Sequence, residues 1–364
     1  MQHVSSTPMT MRERMIAFVR GEPHDRVPFI QYDNIAAPNA EVWPVIGRAH
    51  MGLLRWSNAH RLEYPHCRFV SETTQHNGLR GERKTLFTPA GQITEERIFE
   101  PTYGAPAWKK HFLEGPNDYR IFMAYLQDII VCEDFERVWR DARDLGDDGL
   151  PHVAVQRTPY QQLWIEWAGL QQLTLHIADY PDLLADCMAL MTAIQRRIFA
   201  IVRKGIDQGV PIYYINVPDN VTAPVLGVRN FSAYCLPFYR ELADLMGERT
   251  PVFVHMDGDL KPFWRLTTTS GVRGIDSLSP PPDNDTSVAQ ALAMWPDMRV
   301  AINFPSSVHI SPPDEVYRVT RQILDEGGHS GRLQIQVSEN VPPGVWRTTF
   351  PAIVKAIADF TAGL

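Results

Sequence analysis

The sequence has few of the features that mark exported, membrane-bound or nucleic-acid-binding proteins. No apolar run approaches the roughly 20 residues that a membrane helix needs, and the N-terminal segment MQHVSSTPMTMRERM contains no apolar signal core. The formal net charge of -7 comes with no basic block, which argues against a nucleic-acid backbone as a partner. We therefore expect a cytoplasmic protein without a membrane or nucleic-acid partner.

Cysteine pairs and several common catalytic motifs are also missing. The four cysteines, Cys67, Cys132, Cys187 and Cys235, are scattered and form no CxxC pair, so we expect reduced structural thiols and no disulfide framework. No Gly-rich phosphate loop, GxSxG elbow or HExxH motif occurs. Nucleotide-dependent, serine-hydrolase and zincin activities therefore lack their usual markers.

The composition is that of a globular protein with a large core. The chain has 364 residues, 44% hydrophobic and 21% charged. Strand-like apolar runs alternate with amphipathic helical segments almost to the end. A charged helix (TMRERMIAFVRG) comes before the first strand, and an inserted β-hairpin is predicted at about residues 83–99.

This alternation predicts an α/β fold. The predicted strands are near-continuous apolar runs, as in parallel strands buried on both faces, and each is followed by helical sequence. We therefore predict one (β/α)8 TIM barrel over residues 1–364, with an N-terminal helical extension. A doubly wound sheet is the alternative, because periodicity cannot show closure. The predicted strands are 27–33, 67–75, 152–158, 212–217, 251–255, 274–279, 299–304 and 333–338.

Polar side chains follow nearly every predicted strand, at the end where barrel enzymes carry their sites. A single such residue more often caps a helix or stabilises a turn, but the whole set predicts a polar pocket. The candidates for substrate binding are Tyr32, Asp33, Asn34, Gln156, Asn216, Asp219 and Asn303, with Tyr160 and Trp164 as aromatic contacts.

The segment VFVHMDGDL contains the sharpest pair. His255 and Asp257 lie two residues apart, so on a strand they share one face. With Glu339, beyond the last strand, they could hold a metal ion. Without a metal, the same groups could transfer protons. The Asp-Gly-Asp sequence is also typical of a plain turn, and all three interpretations stay open here.

Several motifs resemble the uroporphyrinogen decarboxylase superfamily. They are the opening TMRERMIAFVRGEPHDRVPF, the hairpin FTPAGQITEERIF, and the later segments VHMDGDL, GIDSLSPPP, INFPS and LQIQVSENVPPGVW. The resemblance spans nearly the whole chain and implies a (β/α)8 barrel with its site at the barrel mouth. True decarboxylases carry an arginine-rich stretch after strand one, where this chain has QYDNIAAPNAEVW.

The resemblance is closer to the cobamide-linked methyltransferase and O-demethylase branch. In its thiol-methylating members a His-x-Cys and a later Cys hold zinc. His255 matches that histidine, whereas Asp257 and the Ser338-Glu339 region stand near the cysteine positions. The resemblance thus implies a zinc site of His255, Asp257 and Glu339 or a metal-free descendant, and it leaves a homodimer open.

We therefore expect a methyltransferase that moves a methyl group from a small O- or N-methylated compound, for instance an aryl methyl ether, to a corrinoid protein or a related acceptor. His255, Asp257 and Glu339 are the expected catalytic residues. One alternative is a decarboxylase of a porphyrinogen or another carboxylated ring. The other is a non-catalytic barrel that binds a corrinoid or another ligand.

Overall fold

The structure, a computed structural model, describes residues 8–101, 104–339 and 341–363. Contacts within the chain divide it into two compact units. The first holds the described residues up to Ala59, Phe135–Val155, and those from Gly205 onward. The second holds His60–Asp134 and Gln156–Lys204. The predicted single domain over residues 1–364 stays a prediction.

The first unit contains an eight-stranded parallel sheet whose neighbours follow the order of the chain. Its two outer strands are joined at Asn216: the Asn216 amide donates to the Val153 carbonyl at 2.9 Å, and the Val155 amide donates to the Asn216 carbonyl at 3.0 Å. This junction closes the sheet and confirms the (β/α)8 barrel. The strands are β1 Phe29–Tyr32, β2 Gly52–Trp56, β3 Gly149–His152, β4 Ile215–Val217, β5 Val252–His255, β6 Gly274–Leu278, β7 Arg299–Asn303 and β8 Leu333–Val337.

An N-terminal helix, Met11–Arg20, packs against the barrel core. It begins with a capping box in which Thr10 and Glu13 satisfy each other's free amides, and it ends at Gly21 in the left-handed conformation. Its Met15 and Phe18 are buried with apolar residues of the strands. The predicted N-terminal helical extension is therefore confirmed.

Helices follow most of the barrel strands. In the first unit the α-helices are Met11–Arg20, Asn39–Ile46, Phe135–Leu145, Ala223–Asn230, Leu236–Met246, Trp264–Thr267, Val288–Met294, Pro313–Gly327 and Trp346–Ala362. Short 3-10 helices lie at Arg48–His50, Gly146–Asp148, Lys261–Phe263, Ser306–Ile310 and Gly328–Ser330, and a π-helix lies at Phe231–Cys235.

The second unit combines antiparallel strands with helices. A four-stranded antiparallel sheet is formed by Arg68–His76, Leu79–Thr88, Gly91–Phe99 and Pro106–Lys110, and a two-stranded sheet by His60–Glu63 and Ile130–Glu133. Its helices are Pro116–Asp128, Pro159–Gln162, the π-helix Leu163–Ala168, Leu170–Asp179 and most of Pro181–Asp207. The predicted hairpin at 83–99 lies within the four-stranded sheet, with Leu79–Thr88 paired to Gly91–Phe99.

The predictions for the second and third strands were wrong. The second barrel strand is Gly52–Trp56, whereas the run at 67–75 belongs to the antiparallel sheet of the second unit. That run is largely exposed, as antiparallel strands often are. The third strand is Gly149–His152, so the predicted 152–158 begins where this strand ends.

None of the described helices combines the length and the apolar composition that a membrane crossing requires.

Candidate active site

A buried carboxylate, Asp276 of β6, lies at the centre of the polar groups inside the barrel. It accepts three hydrogen bonds: from the Tyr32 hydroxyl at 2.6 Å, from Asn216 Nδ2 at 2.8 Å and from Gln336 Nε2 at 2.7 Å. All four side chains are buried. The three donors come from β1, β4 and β8, so the barrel closure itself brings them together.

A bulge in β6 aims two successive side chains at the same partner. Ile275 pairs with Val300 and Leu278 pairs with Ile302, so β6 carries one extra residue there. Ser277 takes up the irregularity with a φ of 61°. Because of the bulge, Gln336 Nε2 donates both to Asp276 and, at 3.0 Å, to Ser277 Oγ. In a regular strand these neighbours would point to opposite faces.

Burial fixes the protonation of the groups around this carboxylate. It raises the pKa of Tyr32 well above its ordinary value, and the charge of Asp276 acts in the same direction, so the hydroxyl stays a donor. Burial lowers the pKa of His152, although Asp276 and Asn216 oppose this shift. His152 is therefore a neutral imidazole at pH 7, and its Nδ1 lies 2.9 Å from the Tyr214 hydroxyl.

His255, at the end of β5, is held by a backbone carbonyl. Its Nδ1 lies 2.9 Å from the carbonyl oxygen of Asp219, which can only accept, so Nδ1 carries a proton. The Asp219 carboxylate in turn accepts from the Tyr239 hydroxyl at 2.7 Å, and both of those residues are fully buried. This leaves His255 Nε2 as the ring atom available for chemistry.

Asp257 lies beside His255, although it follows the end of β5 and is not part of the strand. The distance from its Oδ1 to His255 Nδ1 is 4.0 Å, and the two side chains are 25% and 14% exposed. The loop is fixed by Asn284, whose amide donates to the Asp257 carbonyl at 2.8 Å. A partly exposed imidazole and carboxylate therefore stand together at the carboxyl end of the barrel.

Glu339 and Asn303 belong to a second chain of hydrogen bonds. The Asn303 side-chain oxygen accepts from the Ser338 amide and hydroxyl, each at 3.0 Å. Its amide reaches Ser306, whose hydroxyl donates to Glu339 Oε2 at 2.9 Å. Ser338 also accepts from Ser277 at 2.8 Å, which joins this chain to the Asp276 network.

The three predicted zinc ligands do not fit a zinc ion in this arrangement. Zinc needs about four ligands at about 2 Å. Among residues 8–101, 104–339 and 341–363, no three His, Cys, Asp or Glu side chains are close enough to share a metal ion. The side chains of His255 and Asp257 lie next to each other, but Glu339 accepts a hydrogen bond from Ser306. The zinc site stays a prediction.

Asp33 and Asn34 hold the loop after β1. Asp33 accepts from Arg55 at 2.5 Å and from the side-chain amides of Asn34 and Asn39. Asn34 has a φ of 63° and accepts from the Asn39 backbone amide. These contacts stabilise the loop, and the role of Asp33 and Asn34 in substrate binding stays a prediction.

The remaining candidates, Gln156, Tyr160 and Trp164, belong to the second unit. Gln156 accepts from Gln195 at 3.4 Å, Tyr160 is buried in the helix Pro159–Gln162, and Trp164 lies half-buried in the π-helix that follows. Their predicted contacts with a substrate stay predictions.

Sequence reasoning missed Asp276, Gln336, His152 and Trp56. A signal for the first two was present: GIDSL and LQIQV place charged or amide side chains inside strands that are otherwise apolar. A polar side chain within a strand buried on both faces needs a partner. Such residues therefore predict a polar barrel interior, whereas the prediction considered only the strand ends.

Comparison with known proteins identifies the family. A family model described as uroporphyrinogen decarboxylase (URO-D) matches residues 169–360, which is more than half of the chain. The chain belongs to the URO-D family. The matched region includes barrel strands β4 to β8, with His255, Asp276 and Gln336. A search of curated proteins found no match.

Solved structures support the same fold for this URO-D member. A methyltransferase from Methanosarcina mazei aligns over 97% of this chain and 99% of its own, with a TM-score of 0.58 and 12% sequence identity. At that identity the similarity shows the fold alone.

Proposed function

We propose that the protein is a methyltransferase that moves a methyl group from a small O- or N-methylated compound to a corrinoid protein or a related acceptor. The observation that carries this proposal is the orientation of His255. Its Nδ1 is engaged by the Asp219 carbonyl, so Nε2 is left for a ligand at the barrel mouth, beside Asp257. The fold shared with a methyltransferase supports the same reaction class.

For an O-methylated donor, the main barrier is the poor leaving group. The acceptor supplies the electron pair of the new bond to carbon, and the pair of the broken C–O bond stays on the donor oxygen. That oxygen needs a proton as the bond breaks. A protonated His255 carries this proton on Nε2, and the Asp257 carboxylate 4.0 Å from Nδ1 stabilises the positive ring.

The test uses guaiacol and trimethylamine as methyl donors and free cob(I)alamin as the acceptor. The absorbance of methylcobalamin measures the extent of transfer. We expect transfer by the wild-type protein and a loss of about 100-fold or more in His255→Gln with guaiacol, since general acid catalysis contributes about that much. His24→Gln is the matched control, because His24 lies before β1, at the opposite end of the barrel. A folded protein that methylates cobalamin from neither donor contradicts the proposal.

Decarboxylation of a porphyrinogen is the alternative function, because the family model that matches this chain is described as uroporphyrinogen decarboxylase. A porphyrinogen carries several carboxylates and needs cationic partners. Arg55, next to the end of β2, is paired with Asp33 instead. Incubation with uroporphyrinogen and chromatography of the products tests this alternative: loss of carboxyl groups would favour it over methyl transfer.

A further inference from the structure

Trp56 occupies the inner face of the barrel at the end of β2. Side chains alternate along a strand, so Leu54 and Trp56 share a face while Arg55 faces the other way. Leu54 is packed in the barrel interior with Phe253 and Met15, and Arg55 is paired with Asp33. Trp56 therefore stands two residues above the core, at the carboxyl end where a barrel site is found.

The indole is fixed on its buried side. Its ring centroid lies 4.2 Å from that of His152 and 5.5 Å from that of Tyr32, and these two rings belong to the network around Asp276 and Tyr214. Burial lowers the pKa of His152, so the ring beneath the indole is neutral. Trp56 thus rests on rings that are themselves held by hydrogen bonds.

Trp56 is nevertheless 40% exposed, although tryptophan is usually highly buried. Trp295 and Trp346, by comparison, are 1% and 3% exposed. A rigid, partly open indole on the inner face of a barrel mouth is a surface on which a flat apolar ring can stack.

We propose that Trp56 is the stacking platform for the ring of an aryl methyl ether, which makes it a specificity-determining residue. The inference rests on the proposed function, and it narrows the methyl donor to an aromatic ether. A single open indole suits a planar ring, which needs one face. A methylated ammonium is recognised by several aromatic faces that surround it, whereas Tyr32 and His152 are buried beneath the indole.

The test measures binding of veratrole to the full-length protein by NMR titration, without any acceptor. We expect Trp56→Ala to weaken binding about tenfold or more, and Trp56→Phe, which keeps an aromatic face, to weaken it less. Trp139→Ala is the matched control, because Trp139 is also 40% exposed but lies on the helix Phe135–Leu145. That variant should bind like the wild type.

The outcomes separate this inference from the proposed function. Equal veratrole affinity in the wild type, Trp56→Ala and Trp56→Phe overturns the platform, even if methyl transfer is observed. If tetramethylammonium binds more tightly than veratrole and Trp56→Ala abolishes its binding, the assignment of an aryl methyl ether as the donor is overturned. Veratrole binding that depends on Trp56 supports the platform, even if no methyl group is transferred.

Discussion

Replacing Tyr32 with phenylalanine removes one hydroxyl from the centre of the barrel and keeps the ring in place. The hydroxyl donates to Asp276 Oδ2 at 2.6 Å, and both side chains are buried. The negative carboxylate then keeps only the amides of Asn216 and Gln336 as donors. Water cannot easily replace the lost donor at a buried position.

A hydrogen bond to a charged group contributes about 1.5–3 kcal/mol. We expect Tyr32→Phe to lower the free energy of unfolding by that amount, measured from urea denaturation midpoints. In a double-mutant cycle with Asp276→Asn, we expect the two positions to be coupled by about 1 kcal/mol or more. Independent effects would show that the hydroxyl and the carboxylate do not interact as the structure indicates.

The chain offers a matched control for the same chemical change. The Tyr317 hydroxyl donates to Asp359 at 2.8 Å, but this pair is exposed. Tyr317→Phe should leave the urea midpoint unchanged, because water replaces the lost partner. If Tyr32→Phe destabilises the protein no more than Tyr317→Phe does, the Tyr32 hydroxyl does not stabilise the buried carboxylate.

Substitutions at Tyr239, His309 and Gly258 test three other parts of the structure. In Tyr239→Phe the Asp219 carboxylate loses a buried donor, which should loosen the Asp219 carbonyl that orients His255. We expect nitrogen NMR to show mixed tautomers of His255, and we expect methyl transfer to slow roughly tenfold or more. A single, unchanged tautomer of His255 would exclude a positioning role for Tyr239. Burial lowers the pKa of His309 from 6.5 to about 4. The unfolded chain therefore takes up this proton at a higher pH than the folded chain does. The free energy of unfolding should fall as the pH drops from 6.5 towards 4, by about 2 kcal/mol near pH 5. Urea midpoints at neutral and acidic pH should show a smaller fall in His309→Gln, and an equal fall in both proteins would refute this cause. In Gly258→Ala the new Cβ would lie 2.1 Å from Thr222 Cβ, so we expect a loss of about 1–3 kcal/mol in the same assay; a midpoint equal to that of the wild type would mean that the loop after Asp257 adapts freely.

The barrel and the position of His255 could be predicted because buried parallel strands leave a clear pattern. Val252, Phe253 and Val254 are apolar and buried, and His255 is the last residue of the strand, as predicted. Tyr32 and Asn216 were predicted as substrate-binding residues from their positions at strand ends. The structure places both in the Asp276 network, and their contacts with a substrate stay predictions. Here the local pattern and the global fold agree.

The second strand could not be recognised, because GLLRW is too short to distinguish from a helical segment by periodicity. The longer run at 67–75 has strand-forming residues but pairs in an antiparallel sheet. Because β2 was not predicted, Trp56, the last residue of that strand, was not recognised as a residue facing the barrel interior. An error in one strand thus removed a candidate binding residue.

The site depends on two features that are invisible in the sequence. The bulge at Ser277 turns Asp276 and its neighbour towards one partner, although regular alternation would separate them. The carbonyl that orients His255 belongs to Asp219, which was predicted for its side chain and not for its backbone. Both are consequences of backbone geometry, which composition and periodicity do not specify.

A single-turnover measurement of methyl transfer from guaiacol to free cob(I)alamin, made with the wild-type protein and with His255→Gln, tests the role of His255. We expect the wild type to form methylcobalamin and catechol, the demethylated product of guaiacol, in equal amounts, and the variant to react about 100-fold more slowly. A variant that transfers the methyl group at the wild-type rate would contradict the role of His255.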